Sequence, residues 1–112
     1  MNENVEMEIA VSVVSERLKR QEELLLLDCR EQNEYEQAKI EGSVLIPMNE
    51  IPSRISEIES FREKPVIVYC HGGVRSLKVT QWLRQQGFAN SQSMAGGIDA
   101  WSREIDPQVP IY

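Results

Sequence analysis

One short stretch of the chain carries a cysteine, two glycines, an arginine and a serine within seven residues. It reads Cys70-His71-Gly72-Gly73-Val74-Arg75-Ser76. The five residues that end at Cys70, Val-Ile-Val-Tyr-Cys, form an apolar, β-branched run that predicts a buried strand. Residues 76–84 have helical spacing, so the cysteine ends a strand and a tight glycine loop joins it to a helix.

This arrangement predicts an activated thiolate at Cys70. Backbone N–H groups of the loop and of the first helical turn lack carbonyl partners and converge on an anion at the centre. Such surroundings commonly lower the pKa of a thiol from about 8.5 to roughly 3.5–7.5. Arg75 adds a positive charge and a planar set of donors for an oxyanion, and Ser76 is expected to cap the helix or to donate to the sulfur. A buried, inert cysteine is the alternative for Cys70 taken alone.

The loop resembles the active-site loop of the rhodanese (sulfurtransferase) family, in its six-residue form counted from Cys70 to Arg75. Residues 24–35, Leu-Leu-Leu-Leu-Asp-Cys-Arg-Glu-Gln-Asn-Glu-Tyr, resemble the family's first signature, and residues 87–90 and 96–101 resemble its closing elements. The resemblance covers about residues 8–105, in the family's order and spacing. Two segments depart from the family pattern: Cys29 replaces the usual valine or isoleucine, and Lys39-Ile40-Glu41-Gly42-Ser43 replaces the commoner His-Ile-Pro-Gly-Ala.

The resemblance implies transfer of a sulfane sulfur from thiosulfate or a persulfide donor to a thiol or cyanide acceptor, through a persulfide on Cys70. The residues implied to bind the donor anion are His71, Gly72, Gly73, Val74, Arg75 and Ser76. Lys78 is a candidate for attracting that anion, and for His71 we favour a surface electrostatic role over general-base catalysis. A sulfur-accepting protein is a further candidate partner. We expect no cofactor and no metal, because two cysteines and one histidine cannot complete a four-ligand zinc site.

Asp28 and Arg30 follow an apolar run that predicts a central parallel strand. A carboxylate beside an arginine could act in acid–base chemistry, but the resemblance implies that the pair braces the loops at the carboxyl edge of the sheet, which we favour. Cys29, between them, is expected to be a small buried substitute for valine, with a redox partner or sulfur relay for Cys70 as the alternative. Neighbouring strands are close enough for a disulfide, and we expect side-chain direction to prevent it.

Two other functions use a similar fold or loop. Cysteine phosphatases and arsenate reductases place five residues between cysteine and arginine, whereas this chain has the four residues 71–74 and no evident aspartate general acid after them. The smaller cup fits one sulfur better than a tetrahedral phosphoryl group. A non-enzymatic sulfur-carrier or regulatory module is the third reading, and regulatory modules of this kind typically lack the loop cysteine.

The order of the predicted elements favours a single α/β domain. Strands alternate with helices along the 112 residues, which predicts a parallel sheet with helices on both faces and ligands at the carboxyl ends of its strands. The resemblance implies a rhodanese-like fold with five strands in the order 1-5-4-2-3. We expect residues 8–112 to form this domain, residues 1–7 a flexible tail, and residues 106–110 an extended surface segment.

The charge balance limits the classes of partner. A formal net charge of −6 disfavours nucleic acid and anionic membrane, so an anionic substrate must be held by local positive potential. The first residues show no signal-peptide pattern, and no run reaches the roughly 18 apolar residues of a membrane span. We therefore expect a soluble cytoplasmic protein.

Overall fold

The computed structural model of the chain describes residues 6–112. In that range five β-strands alternate with α-helices. The strands are β1 (Glu8–Ile9), β2 (Leu25–Asp28), β3 (Val44–Leu45), β4 (Val66–Tyr69) and β5 (Ser91–Met94). The helices are α1 (Val11–Lys19), α2 (Gln32–Gln37), α3 (Ile51–Arg54), α4 (Val74–Gln85) and α5 (Gly97–Glu104), with 3₁₀ segments at Met48–Glu50 and Ile55–Phe61. No helix among the described residues is long and apolar enough to cross a membrane.

The strands form one parallel sheet in the order β1-β5-β4-β2-β3, which confirms the expected fold and strand order. The central strand β4 pairs with β2 on one side, with Asp28 opposite Tyr69, and with β5 on the other. Because all strands run in the same direction, their carboxyl ends meet at one edge of the sheet. Cys29 and Cys70, the residues that directly follow β2 and β4, therefore lie side by side at this edge.

The central strands β2 and β4 are apolar except for Asp28, because helices cover both faces of the sheet. All four residues of β4 are buried, and the same holds for β2. Along β4 the side chains of Val66 and Val68 pack on the face covered by α3 and α4, while Ile67 and Tyr69 pack on the face covered by α1 and α5. The central strands are thus enclosed between two apolar layers.

The predicted tail at residues 1–7 is described only in part. Residues 1–5 lie outside the described residues. The carbonyl oxygen of Glu6 accepts hydrogen bonds from Arg84 and Gln92, and the carbonyl oxygen of Met7 accepts one from the N–H of Ser93. Among the described residues, contacts with β5 are therefore already present at Glu6 and Met7, before the first strand.

The segment after α5 differs from the expected extended stretch. Residues 106–109 form a turn, in which the N–H of Val109 donates to the carbonyl of Asp106 and the N–H of Gln108 donates to the Asp106 carboxylate. An aspartate that bonds to the backbone two residues ahead is typical of turns, and Pro107 is compatible with one. The prediction of an extended segment is therefore wrong, although residues 106–110 are exposed or half-buried and lie on the surface as expected. After the turn, Tyr112 reaches the carboxyl edge of the sheet.

Helix α5 begins in very close contact with the loop that follows β4. The N–H groups of Ile98 and Asp99 donate to the carbonyls of Cys70 (2.9 Å) and His71 (3.1 Å). Gly97 makes this approach possible, because it has φ +62° and a Cβ there would lie 2.5 Å from the carbonyl oxygen of Cys70. The backbone after Cys70 is therefore held in place by the first turn of α5.

Substituting Gly97 tests this contact. We expect Gly97→Ala to lower the free energy of unfolding by about 1–3 kcal/mol more than Gly42→Ala, because of overpacking. Gly42 is the matched control, since it also has positive φ (+87°) but no atom lies within 4 Å of the position of its Cβ. Denaturant unfolding of the two variants measures the difference. Equal losses of stability would contradict the close approach of α5 to the loop.

Candidate active site

The sulfur of Cys70 lies at the N-terminus of the 12-residue helix α4. The side chain is buried, with 1% of its surface exposed. The N–H groups of Gly73 and Ser76 donate to Sγ at 3.1 and 3.3 Å. Gly73 precedes α4 with φ +108°, a left-handed conformation that turns the loop so that these N–H groups point at the sulfur. The anion cradle expected from the glycine loop is thus present around Cys70.

Ser76 does not cap helix α4, which was one of the two roles expected for it. Gly73 occupies the N-cap position, and Ser76 lies within the first turn of α4, so the prediction that Ser76 caps the helix is wrong. Its Oγ lies 3.3 Å from Sγ of Cys70 and 2.7 Å from Oγ of Ser93 on β5. Ser93 was missed by the sequence analysis, although a small polar residue inside a buried strand was a visible signal. The two hydroxyls extend the hydrogen-bond network of the sulfur to β5.

Cys29 lies beside Cys70 on the same face of the sheet. Leu27 of β2 is paired with Val68 of β4, and both cysteines lie two residues further along their chains. Since side chains alternate between faces, Cys29 and Cys70 share the apolar layer on the α4 side, where both are buried free thiols. The expectation that side-chain direction separates them is therefore wrong.

The hydrogen-bond donors around Cys70 lower the pKa of its thiol to about 4. The largest cause is the Cys29 thiol, which donates to the sulfur; burial acts against it, and the hydroxyl and N–H of Ser76 and the N–H of Gly73 add to it. The same interaction and burial raise the pKa of Cys29. At neutral pH, Cys70 is therefore a thiolate and Cys29 holds its proton.

Arg75 is paired with a carboxylate that the sequence analysis missed. Both of its terminal nitrogens donate to Glu34 of α2, at 2.8 and 2.9 Å, and this arginine lowers the pKa of Glu34 to about 2. The N–H of Glu31 also donates to the Glu34 carboxylate, as part of a capping box at the start of α2. Glutamate three residues after the start of a helix was a local signal for the capping box, but nothing local indicated Arg75 as its partner.

Tyr112 contacts both Glu34 and Arg30. Its hydroxyl donates to Glu34 (2.9 Å) and accepts a hydrogen bond from Arg30 (2.8 Å). Its ring stacks on His71, with centroids 4.2 Å apart and 16° between the planes. His71 is thus held against Tyr112, and among the described residues it makes no hydrogen bond to Sγ of Cys70. The sequence offered no signal for Tyr112, because it lies outside every motif.

Asp28 and Arg30 form a fully buried ion pair. Two nitrogens of Arg30 donate to the two carboxylate oxygens of Asp28, at 2.9 and 2.7 Å, and a third hydrogen bond reaches the carbonyl of Ala38 (2.6 Å). The guanidinium also lies over the ring of Tyr69, 5.4 Å from its centroid. The ion pair connects the segment after α2 to the sheet, because Arg30 reaches Ala38 and Asp28 belongs to β2. Tyr69, which is opposite Asp28 on the neighbouring strand, packs in the other apolar layer from Cys70, so this cluster does not contact the sulfur.

The remaining predicted site residues lie at the rim. Gly72 is exposed, and Val74 is 69% exposed although it is apolar. Lys78 is exposed on one wall of a depression of about 140 Å³ on the flank of α4. The other residues of that depression are Met48, Ile51, Pro52, Val79 and Trp82. Among residues 6–112 no group of three or more His, Cys, Asp or Glu side chains could hold a metal ion.

Comparison with known proteins decides the family. The model of the rhodanese-like domain matches residues 11–104. The chain belongs to the rhodanese-like family. A sulfurtransferase of Allochromatium vinosum is 38% identical over 102 residues, covering 91% of this chain and 94% of that protein.

A solved structure and a longer protein are also similar to this chain. A rhodanese-related protein of Thermoplasma volcanium has a TM-score of 0.80 and 30% identity, covering 96% of this chain and 100% of that one. In an adenylyltransferase and sulfurtransferase of Zea mays, 34% identical over 93 residues, the match covers 79% of this chain but only 19% of the relative. The rhodanese-like domain therefore occurs both alone and as part of longer proteins.

In this rhodanese-like domain the geometry suits nucleophilic chemistry at sulfur. Four donors, from Gly73, from Ser76 twice and from Cys29, stabilise a negative charge on Sγ. The site is therefore suited to reactions in which Sγ of Cys70 carries a negative charge before and after the reaction cycle.

The low pKa of Cys70 can be tested by alkylation with iodoacetamide. Only the thiolate reacts, so we expect a nearly constant rate from about pH 5 to 8 and a fall of about tenfold per pH unit below the pKa. In Ser76→Ala, which lacks one donor to the sulfur, the fall should begin at a higher pH. Intact-mass kinetics measure the rate, and Cys70→Ser shows how much alkylation occurs at Cys29. A wild-type rate that rises steadily to pH 9 would contradict the stabilised thiolate.

Proposed function

We propose that this protein transfers a sulfane sulfur, carried as a persulfide on Cys70, from thiosulfate or a persulfide donor to a thiol or cyanide. The observation that carries the proposal is the buried sulfur of Cys70, at which N–H groups of the loop and of α4 are directed and beside which the Cys29 side chain is packed. Membership of the rhodanese-like family, with relatives named sulfurtransferases, supports the same chemistry.

The reaction takes place in two displacements. In the first, the Cys70 thiolate attacks the outer sulfur of thiosulfate, the S–S bond breaks, and sulfite leaves with the electron pair. In the second, the acceptor attacks the outer sulfur of the persulfide, and Sγ leaves as a thiolate. The N–H groups of Gly73 and Ser76 stabilise Sγ in both directions, since it begins and ends the cycle as an anion.

The remaining site residues have roles around the donor. Arg75 supplies positive charge for the donor anion, and its bidentate contact with Glu34 both orients the guanidinium and offsets part of that charge. Lys78, exposed one turn further along α4, adds charge that attracts the anion. Gly72 and Val74 leave the rim of the cup open. His71, stacked on Tyr112, contributes electrostatically rather than as a base.

Hydrolysis of phosphate esters has weaker support at this site. The loop has only four residues between Cys70 and Arg75, and the resulting small cup fits one sulfur better than a tetrahedral phosphoryl group. A carrier without catalysis would not need the thiolate to be stabilised by so many donors. Both readings therefore rank below sulfur transfer.

The acceptor side of the reaction is open to small molecules and to proteins. An acceptor must present a nucleophile to a sulfur at the bottom of a cup, which a thiol, cyanide or the cysteine of an extended protein segment can do. The net charge of −6 makes nucleic acid an unfavourable partner. We place the reaction in the cytoplasm, where reduced thiols such as those of Cys29 and Cys70 persist.

Cys70→Ser is expected to abolish sulfur transfer from thiosulfate to cyanide without unfolding the protein. A serine hydroxyl fits the same space but cannot form a persulfide. Thiocyanate production measures the transfer, and thermal unfolding followed by circular dichroism checks the fold. Full turnover by Cys70→Ser, or efficient hydrolysis of aryl phosphates by the wild type, would overturn the proposed function.

Substitutions of the two partners in the ion pair at the rim should have effects of opposite sign. Arg75→Ala should lower kcat/KM for thiosulfate about ten- to a hundredfold, by loss of a charge-assisted contact of roughly 1.5–3 kcal/mol. Glu34→Gln should instead lower KM for thiosulfate by about two- to tenfold, because it removes a negative charge near the donor.

Glu59→Gln is the matched control for Glu34→Gln. Glu59 is also paired with an arginine, Arg62, but on an exposed surface, so its loss should leave KM for thiosulfate unchanged. Steady-state kinetics at constant ionic strength provide the measurement. An increase of KM in Glu34→Gln would contradict the charge effect and show that orientation of Arg75 dominates. Unchanged kinetics in both Arg75→Ala and Glu34→Gln would remove this ion pair from donor binding.

A further inference from the structure

Cys29 is the one buried nucleophile of the site that sulfur transfer, as described so far, does not use. Its side chain is fully buried, and it follows β2 directly, at the point where Cys70 follows β4. The N–H of Cys29 donates to the carbonyl of Tyr69 at 3.1 Å, so the parallel pairing of the two strands continues up to the cysteines. The two thiols are therefore held by the sheet itself rather than by mobile loops.

The placement of the pair is compatible with a covalent bond between the sulfurs. Paired strands lie about 4.8 Å apart, and a disulfide requires a Cα–Cα separation of about 4.4–6.8 Å. Both side chains point into the layer on the α4 side, where both are buried. Both cysteines are free thiols in this structure.

We propose that Cys29 is a resolving thiol, which attacks Sγ of the Cys70 persulfide, releases the carried sulfur as sulfide and leaves a Cys29–Cys70 disulfide. This proposal rests on the proposed function, because it requires the persulfide on Cys70. It adds a second outcome to the reaction cycle: when no external acceptor takes the sulfur, the neighbouring thiol displaces it.

The step balances without an external oxidant. The sulfur of Cys29 forms a bond to Sγ of Cys70, and the bond between Sγ and the outer sulfur breaks, with its electron pair leaving on the outer sulfur. The proton of the Cys29 thiol passes to that sulfur, so it departs as hydrosulfide. The outer sulfur is reduced to sulfide and the two cysteine sulfurs are oxidised to the disulfide. Two molecules of an external thiol then reduce the disulfide and restore the starting pair.

The charges in the site also favour the step. A persulfide anion and a neutral thiol give a neutral disulfide and a hydrosulfide anion, so no additional charge is buried at any stage. In the resting enzyme, the thiolate on Sγ and burial raise the pKa of Cys29 and keep it protonated. When Sγ becomes the inner sulfur of a persulfide, the negative charge moves to the outer sulfur. The negative charge that opposed ionisation of the Cys29 thiol then no longer lies on Sγ of Cys70.

The proposal is tested by following the persulfide after the donor has been removed. Wild type, Cys29→Ser and Cys29→Val are treated with thiosulfate, desalted without any added thiol, and followed by intact mass and by sulfide release. We expect the wild type to gain one sulfur atom, then lose it with release of about one equivalent of sulfide and become lighter by two hydrogen atoms than the untreated chain. We expect the two variants to gain the sulfur atom and retain it.

Peptide mapping identifies the bond that forms. Trypsin leaves Cys29 in residues 21–30 and Cys70 in residues 63–75, since the bond between Lys64 and Pro65 resists cleavage. The resolved wild type should give these two peptides joined under non-reducing conditions and separate after reduction. Serine at position 29 retains a hydroxyl donor, while valine is the usual residue in the family, so together they separate loss of the hydrogen bond from loss of the nucleophile.

Each other outcome has a definite meaning. A wild type that retains its sulfur atom as long as Cys29→Ser does, without joined peptides, overturns the resolving role while leaving the proposed function intact. Absence of any sulfur adduct in all three proteins overturns the proposed function and with it this step. If both variants fail to fold, the mass, the sulfide released and the peptide map of the wild type still decide.

Discussion

Cys70 holds a negative charge in a position with 1% exposure, and such a charge loses several kcal/mol of hydration unless hydrogen-bond donors replace the water. The donors and the group that supports them come from four different parts of the chain. Gly73 belongs to the loop, Ser76 to α4, and Cys29 to the end of β2, while Ser93 on β5 supports the hydroxyl of Ser76. These parts meet only because β4 lies between β2 and β5. The strand order is therefore a condition for the thiolate, and the chemistry depends on the fold as a whole.

The charged groups around the sulfur are connected in a second network. Arg30 is fully buried with Asp28, and a pair of this kind fixes its surroundings, since removal of one partner leaves an uncompensated buried charge. Tyr112 links Arg30 to Glu34, and Glu34 holds Arg75 beside the cup. A buried structural ion pair is thus linked, through Tyr112 and Glu34, to Arg75 in the loop after β4. Because Glu34 carries the opposite charge, the site attracts an anion less strongly than Arg75 alone would.

The features that the sequence predicted are those encoded in consecutive residues. The apolar runs of β2 and β4, the glycine loop after Cys70 and the alternation of strands and helices are local patterns, and the structure confirms the fold that they indicate. The contacts of the site that were missed join distant residues. Arg75 and Glu34 are 41 positions apart, and Tyr112 and Glu34 are 78 apart, so no periodicity could reveal them. Ser76 was assigned a possible cap because serine often has that role, but Gly73 can adopt the left-handed conformation that the turn requires.

Position 29 shows how a change can preserve packing and alter chemistry. A free cysteine behaves as a small apolar residue in a core, so a layer that would accept valine or isoleucine also accepts Cys29. What the thiol adds is a proton donor and a nucleophile. Whether these reach the catalytic sulfur depends on the register of two strands, because a shift by one residue would place the thiol on the opposite face of the sheet. Here Leu27 pairs with Val68, so the same register that buries Cys29 also directs it to Cys70. The function of this residue follows from its neighbour across the sheet, which the motif around it does not contain.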